Sequence, residues 1–130
     1  MVYNLFLDDV RNPEDAFWYM HLPIYNQLKW EVVRSYDEFV KIIEEKGLPM
    51  TLSIDHDLAD FHYKTMNHGD TINYDNLTEK TGYDCAKWLV DYCVDNKLTL
   101  PKDIYIHSMN PVGRKNIQML FINFNNWSGA

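Results

Sequence analysis

The sequence is short of basic side chains, of cysteine and of long apolar runs, and each shortage excludes something. Twelve Lys and Arg stand against nineteen Asp and Glu, for a formal net charge of −7. A sequence-independent grip on nucleic acid or on an anionic membrane needs the opposite balance, so neither is expected as a partner. A small anionic ligand stays open, because a few local donors and a cation reverse the field inside a cleft. The only cysteines, Cys85 and Cys93, lie eight apart in one expected helix. Eight helical residues rise about 12 Å, too far for a disulfide. Both therefore read as buried thiols of a reducing compartment, and a cytoplasmic protein is expected. No apolar run is long enough to span a bilayer, and no basic stretch leads into an apolar one near residue 1. Neither a membrane span nor a secretion signal is expected. Internal repeats, linkers and low-complexity segments are also missing.

What is present is the material for one core. A chain of 130 residues, 46% hydrophobic and 15% aromatic, is sized for a single domain over 1–130 and is not disordered. Val2 to Leu7 is a nearly unbroken apolar run ending in Asp8-Asp9, as a strand buried on both faces reads in a parallel sheet. Trp30 to Val33, Met50 to Ile54 and Asp103 to Ile106 read as three more strands, the last two running into Asp55-His56-Asp57 and His107-Ser108. Between them lie helical signals. Ser35 with Glu38, and Thr81 with Asp84, form capping-box patterns, and Gly47 stops the first of these helices. Asn110 with Pro111 opens a last helix whose buried face is Ile117, Leu120, Phe121 and Phe124. Ala16 to Leu28, broken by Pro23, predicts an interrupted helix or two short turns. Residues 58–80 lack a clear period and are read as a lid.

Strands alternating with helices predict an α/β three-layer sandwich with a parallel sheet in the order 2-1-3-4, the flavodoxin-like arrangement without its fifth strand. Strands 1 and 3 are then neighbours about 4.8 Å apart. The crevice at their carboxyl ends is where open α/β sheets bind ligands. Asp8, Asp9, Asp55 and Asp57 crowd that crevice, so some of them must bind a cation, pair with a base or hold a proton. Asp8, Asp9 and Asp55 offer hard oxygens suited to Mg²⁺ or Mn²⁺; adding His56 or His107 shifts the preference towards Mn²⁺, Fe²⁺ or Zn²⁺. Alternatively Arg11, Arg34 or Arg114 neutralises the acids without metal, or solvent exposure alone makes them tolerable. His56 and His107, from adjacent strand ends, could divide acid and base roles on one phosphodiester. His21, His62 and His68 have no such setting and read as surface. The helix starts at Thr81-Gly82-Tyr83 and Asn110 to Gly113 turn free N–H groups towards an anion, with Gly82 and Gly113 allowing close approach and Arg114 within reach of a phosphate. Tyr83 reads as core.

Four blocks, LFLDDVRNP at 5–13, SIDHDL at 53–58, TGYDCAKWLVD at 81–91 and HSMNPVGRKNI at 107–117, resemble the cyclic-phosphate-processing receiver-like domain family. The resemblance implies a receiver-like fold and the processing of cyclic phosphates, with Asp8, Asp9, Arg11, Asp55, His56, Asp57, His107, Ser108 and Asn110 as site positions. The expected activity is a cyclic phosphodiesterase: a cation on Asp8, Asp9 and Asp55, chemistry by His56, His107, Asp57 and Ser108, and a cyclic-phosphate or small nucleotide ligand held by Arg11, Thr81, Gly82, Asn110, Gly113 and Arg114. A module that binds a nucleotide without cleaving it is one alternative. Another is a degenerate receiver that accepts phosphate on Asp55 to switch a protein partner. True response-regulator receivers are similar through Asp8-Asp9 and Asp55, but they carry a lysine on a fifth strand that has no counterpart after Ser108.

Overall fold

Four short strands supply the sheet, and the two most fully buried of them pair at its centre. In the computed structural model, which describes residues 2–56 and 81–128, β1 (Asn4–Leu7), β2 (Trp30–Val33), β3 (Thr51–Ile54) and β4 (Asp103–Ile106) form one parallel sheet in the order β2-β1-β3-β4. The expected lid, and with it Asp57, His62 and His68, lies outside the described residues. Every residue of β3 is buried, as a central parallel strand requires. The register sets Leu7 beside Val33 and Ile54, and Ile54 beside Ile106.

Pairing continues one residue beyond each strand. The Asp8 N–H donates to Val33 O at 3.2 Å, Asp55 N–H to Leu7 O at 3.1 Å, and His107 N–H to Ile54 O at 3.1 Å. Asp8, Asp55 and His107 are thereby lined up as a row at the carboxyl edge.

The helices follow their caps. The stretch that reads from sequence as an interrupted helix or two turns is two helices, α1 (Pro13–Met20) and α2 (Ile24–Gln27). Asn12 and Asp15 form a reciprocal capping box on α1, and His21 ends it at φ 56. In α3 (Tyr36–Lys46) the Ser35 side chain accepts from Glu38 N–H, while the Glu38 carboxylate reaches Arg34 N–H at 2.8 Å, one residue further out than the pattern predicts. In α4 (Gly82–Asn96) both halves of the Thr81–Asp84 box are made. In α5 (Pro111–Ser128) the Asn110 side chain accepts from Gly113 N–H at 3.1 Å.

Alternation along the strands divides the core in two. Leu5, Leu7, Leu52 and Ile54 face a layer built from α3, α4 and α5 through Phe39, Ile43, Leu89 and Ile117. Phe6 faces the other way, towards Ala16 and Tyr25 of α1 and α2. Each fully buried side chain of this kind contributes about 1.5–3 kcal/mol by leaving water. Cys85 and Cys93 are buried in α4 as expected. Burial raises both thiols, Cys93 to about 11, so neither is a nucleophile near neutral pH. Among the described residues no helix is long and apolar enough to cross a membrane.

Candidate functional site

The chain turns immediately after β1, and Asp8 makes the turn. Its Oδ1 accepts from Val10 N–H at 3.0 Å and from Arg11 N–H at 2.9 Å, a side-chain mimic of a backbone turn. Its Oδ2 accepts from His107 Nε2 at 3.1 Å, and Arg11 Nη1 lies 4.0 Å from the same oxygen. Burial by itself raises the Asp8 carboxyl. The His107 hydrogen bond and the two backbone donors outweigh that and hold it below its ordinary value. Arg34 holds the loop that carries the acids, donating to the Asp8 carbonyl at 3.2 Å, the Arg11 carbonyl at 2.5 Å and Asn12 Oδ1 at 2.5 Å.

His107 is fully enclosed. Its ring stacks on Phe6 with centroids 4.3 Å apart and planes at 9°. Nδ1 meets Ser53 Oγ at 2.6 Å, and Ser53 Oγ meets the Tyr25 hydroxyl at 2.8 Å. Burial lowers the His107 pKa, and Asp8 does not restore it. Burial thus favours the neutral ring, and because a carboxylate only accepts, the contact with Asp8 assigns a proton to Nε2. Tyr25, pushed up to about 12 by burial, keeps its own proton. Tyr19 donates to the His107 carbonyl at 2.5 Å and carries the Arg11 guanidinium 5.3 Å above its ring.

In front of Asp8 opens a cleft of about 90 Å³ whose walls include Asp8, Asp9, Asp55, Arg11, Ser108 and Asn110. An enclosed water needs about 10–15 Å³ of such space, so the cleft admits a phosphoryl group or a hydrated ion. Asp8, Asp9 and Asp55 each offer an oxygen, and these atoms lie within 4.8 Å of one another. A single hard cation fits that spacing and donor set. Ser108 Oγ accepts from Asn110 N–H at 3.1 Å, which leaves the hydroxyl hydrogen for an acceptor in the cleft.

The profile of a protein family described as the cyclic-phosphate processing receiver domain matches residues 3–123. The chain belongs to this family. No curated protein and no solved structure shows a match to it.

The remaining sequence-predicted positions of this receiver domain fall elsewhere. The structure does not bring His56 and His107 to one ligand. His107 has both ring nitrogens engaged inside the α1–α2 side, while His56 is half-buried on the helix side, its ring against Gly113 and 6.4 Å from Tyr83. Tyr83 does pack at the margin of the core. Gly82 and Gly113 serve the protein's own packing. A Cβ on Gly82 would run into the Asp55 carbonyl, and one on Gly113 into the His56 ring. Three N–H groups at these helix starts are engaged within the protein: Gly82 donates to His56 O at 2.7 Å, Asp84 to Thr81 Oγ1 at 3.3 Å and Gly113 to Asn110 Oδ1 at 3.1 Å. Thr81 is thus a cap. Arg114 is exposed and borders a separate groove of about 930 Å³ along β4.

Sequence reasoning passed over Phe6, Tyr19, Tyr25 and Ser53, and the bracing role of Arg34. Ser53, a hydroxyl within a buried strand, was the one visible signal. Tyr19 and Tyr25 sit in the stretch without a clear period.

Proposed function

We propose that the acidic cleft opens cyclic phosphodiesters, in a cyclic nucleotide or at a 2′,3′-cyclic phosphate. The observation that carries this reading is the meeting of three carboxylates, the Arg11 guanidinium, a hydroxyl and an amide around a space the size of one phosphoryl group. The family description points to the same substrate chemistry. Asp8, Asp9 and Asp55 hold a divalent cation, Mg²⁺ or Mn²⁺. Such an ion polarises a phosphoryl oxygen and offsets the charge of the three acids. Arg11, the Ser108 hydroxyl and the Asn110 amide donate to the other phosphoryl oxygens. Asp9 is half-buried where Asp8 and Asp55 are buried. It is the carboxylate most open to an attacking water, and the oxygen it does not give to the cation takes the water's proton. Water adds to phosphorus, one ring P–O bond breaks, and the freed alkoxide takes a proton from solvent, leaving a phosphomonoester. The base and sugar lie outside the cleft. His107 stays behind Asp8 and exchanges no proton with substrate.

The test is incubation with 2′,3′-cyclic nucleotides and 3′,5′-linked cyclic oligonucleotides under Mg²⁺ or Mn²⁺, followed by phosphorus NMR. Ring-opened monoester is expected from at least one of them, abolished in Asp55→Asn. No turnover with any of them overturns the reading, and tight binding with the ligand recovered intact converts it to sequestration.

That neither histidine borders the described cleft favours a second reading, in which Asp55 accepts a phosphoryl group and switches a protein partner. A small phosphodonor with Mg²⁺ then adds one phosphate by mass, and Asp55→Asn removes the adduct. An adduct that persists in Asp55→Asn ends that idea.

A further inference from the structure

Behind the cleft runs a chain of buried polar groups that the proposed chemistry does not use. Tyr25, Ser53 and His107 are 2%, 0% and 0% exposed, set among Phe6, Trp30 and Tyr105. Buried polar side chains cost stability unless every donor and acceptor is matched, and apolar residues of the same shape would fill the space without that requirement. Here the matching has a direction. Because a carboxylate only accepts, His107 Nε2–H donates to Asp8 Oδ2; in the neutral ring Nδ1 then accepts from the Ser53 hydroxyl, and Ser53 Oγ accepts from the Tyr25 hydroxyl. Stacking on Phe6 keeps the ring from turning.

Counting lone pairs shows what this chain does to Asp8. A carboxylate has about four acceptor positions, two on each oxygen. Val10 and Arg11 N–H occupy both on Oδ1, and His107 occupies one on Oδ2. One position remains, on the oxygen that lies 4.0 Å from Arg11 Nη1 at the cleft wall. We infer that Tyr25, Ser53 and His107 are positioning residues that lock Asp8 as a one-point ligand, presenting a single Oδ2 lone pair to the cleft. The inference rests on the cation reading above and adds a selectivity to it. Ca²⁺ favours carboxylates that give both oxygens, whereas Mg²⁺ and Mn²⁺ accept one oxygen from each of several acids. The lock therefore tilts the site against Ca²⁺.

Two measurements on the whole chain test this. In ¹⁵N-histidine NMR without metal, His107 is expected as a single neutral tautomer with the proton on Nε2. In calorimetry, Ser53→Ala is expected to weaken Mn²⁺ binding about ten-fold, the lower end for loss of a group supporting a ligand, and to narrow the preference for Mn²⁺ over Ca²⁺. Ser53→Thr, which keeps the hydroxyl, is expected to restore both. Should Ser53→Ala fail to fold, Tyr25→Phe removes one hydroxyl while keeping the ring and carries the same comparison. A proton on Nδ1, a mixture of tautomers in the wild type, or an unchanged Mn²⁺ affinity and Mn²⁺-to-Ca²⁺ ratio in Ser53→Ala overturns the inference. Wild-type protein that binds no Mn²⁺ brings down the cation reading instead. The lock is then judged on the tautomer alone, kept if Ser53→Ala scrambles it and rejected if it does not.

Discussion

The two faces of the sheet use the same four strands for different ends. The face under α3, α4 and α5 is apolar from Leu5 to Ile54, with Leu89 and Ile117 closing over it. The face under α1 and α2 mixes Phe6 and Ala16 with Tyr25, Ser53 and His107. Since side chains alternate along a strand, Asp8 and Asp55 continue the face of Phe6 and Ser53 by two residues. The candidate site is thus an outgrowth of the polar face, and its carboxylates inherit partners already buried there. A wholly apolar layer secures the fold, which frees the thinner layer to hold groups that are costly to bury.

That division is breakable. The largest effect belongs to the apolar face. Leu89→Ala is expected to cost about 2–5 kcal/mol in urea unfolding through lost burial and the cavity left, while Mn²⁺ binding by the folded fraction stays at the wild-type value. If metal affinity falls along with stability, the faces are not separable.

Next comes acid. Burial holds the folded His107 below its ordinary 6.5. Between that folded value and 6.5 the unfolded chain binds a proton that the native ring refuses, so stability is whole above 6.5 and declines as pH falls below it. Asp8, held under its ordinary 3.8, contributes stability that is complete above 3.8 and is lost as pH falls through its lower folded value. Unfolding midpoints from pH 8 to pH 3 are therefore expected to drop in two stages, with the second stage removed in Asp8→Asn. A profile flat from pH 7 down to pH 4 would overturn the lowered pKa of His107.

The smallest effect sharpens the border of the site. Arg114→Ala, on the β4 groove, is expected to leave stability within about 0.5 kcal/mol and cyclic-phosphate turnover unchanged. Arg11→Ala is expected to raise KM by roughly ten-fold through a lost charge-assisted contact. Equal losses from the two arginines would enlarge the site to include the groove.

Most of the architecture is legible in the sequence. Apolar runs ending abruptly in acids marked β1 and β3, the capping boxes marked the starts of α3 and α4, and the alternation of strands with helices led to the order β2-β1-β3-β4. The gathering of Asp8, Asp9 and Asp55 followed from that order. These features are local patterns or consequences of handed connections, which a linear chain carries openly. What only the tertiary structure decided is which way each polar group turns. Two histidines at neighbouring strand ends look equivalent in sequence. Yet His107 falls on the face where Ser53 and Tyr25 wait to bond it, while His56 falls on the other, against Gly113. Arg114 looks like a phosphate contact in sequence, whereas in the structure it lines the groove along β4. Such choices depend on contacts up to 99 residues apart, as between Asp8 and His107. No local spacing encodes them, because a hydrogen bond is decided by a few tenths of an ångström that packing alone sets.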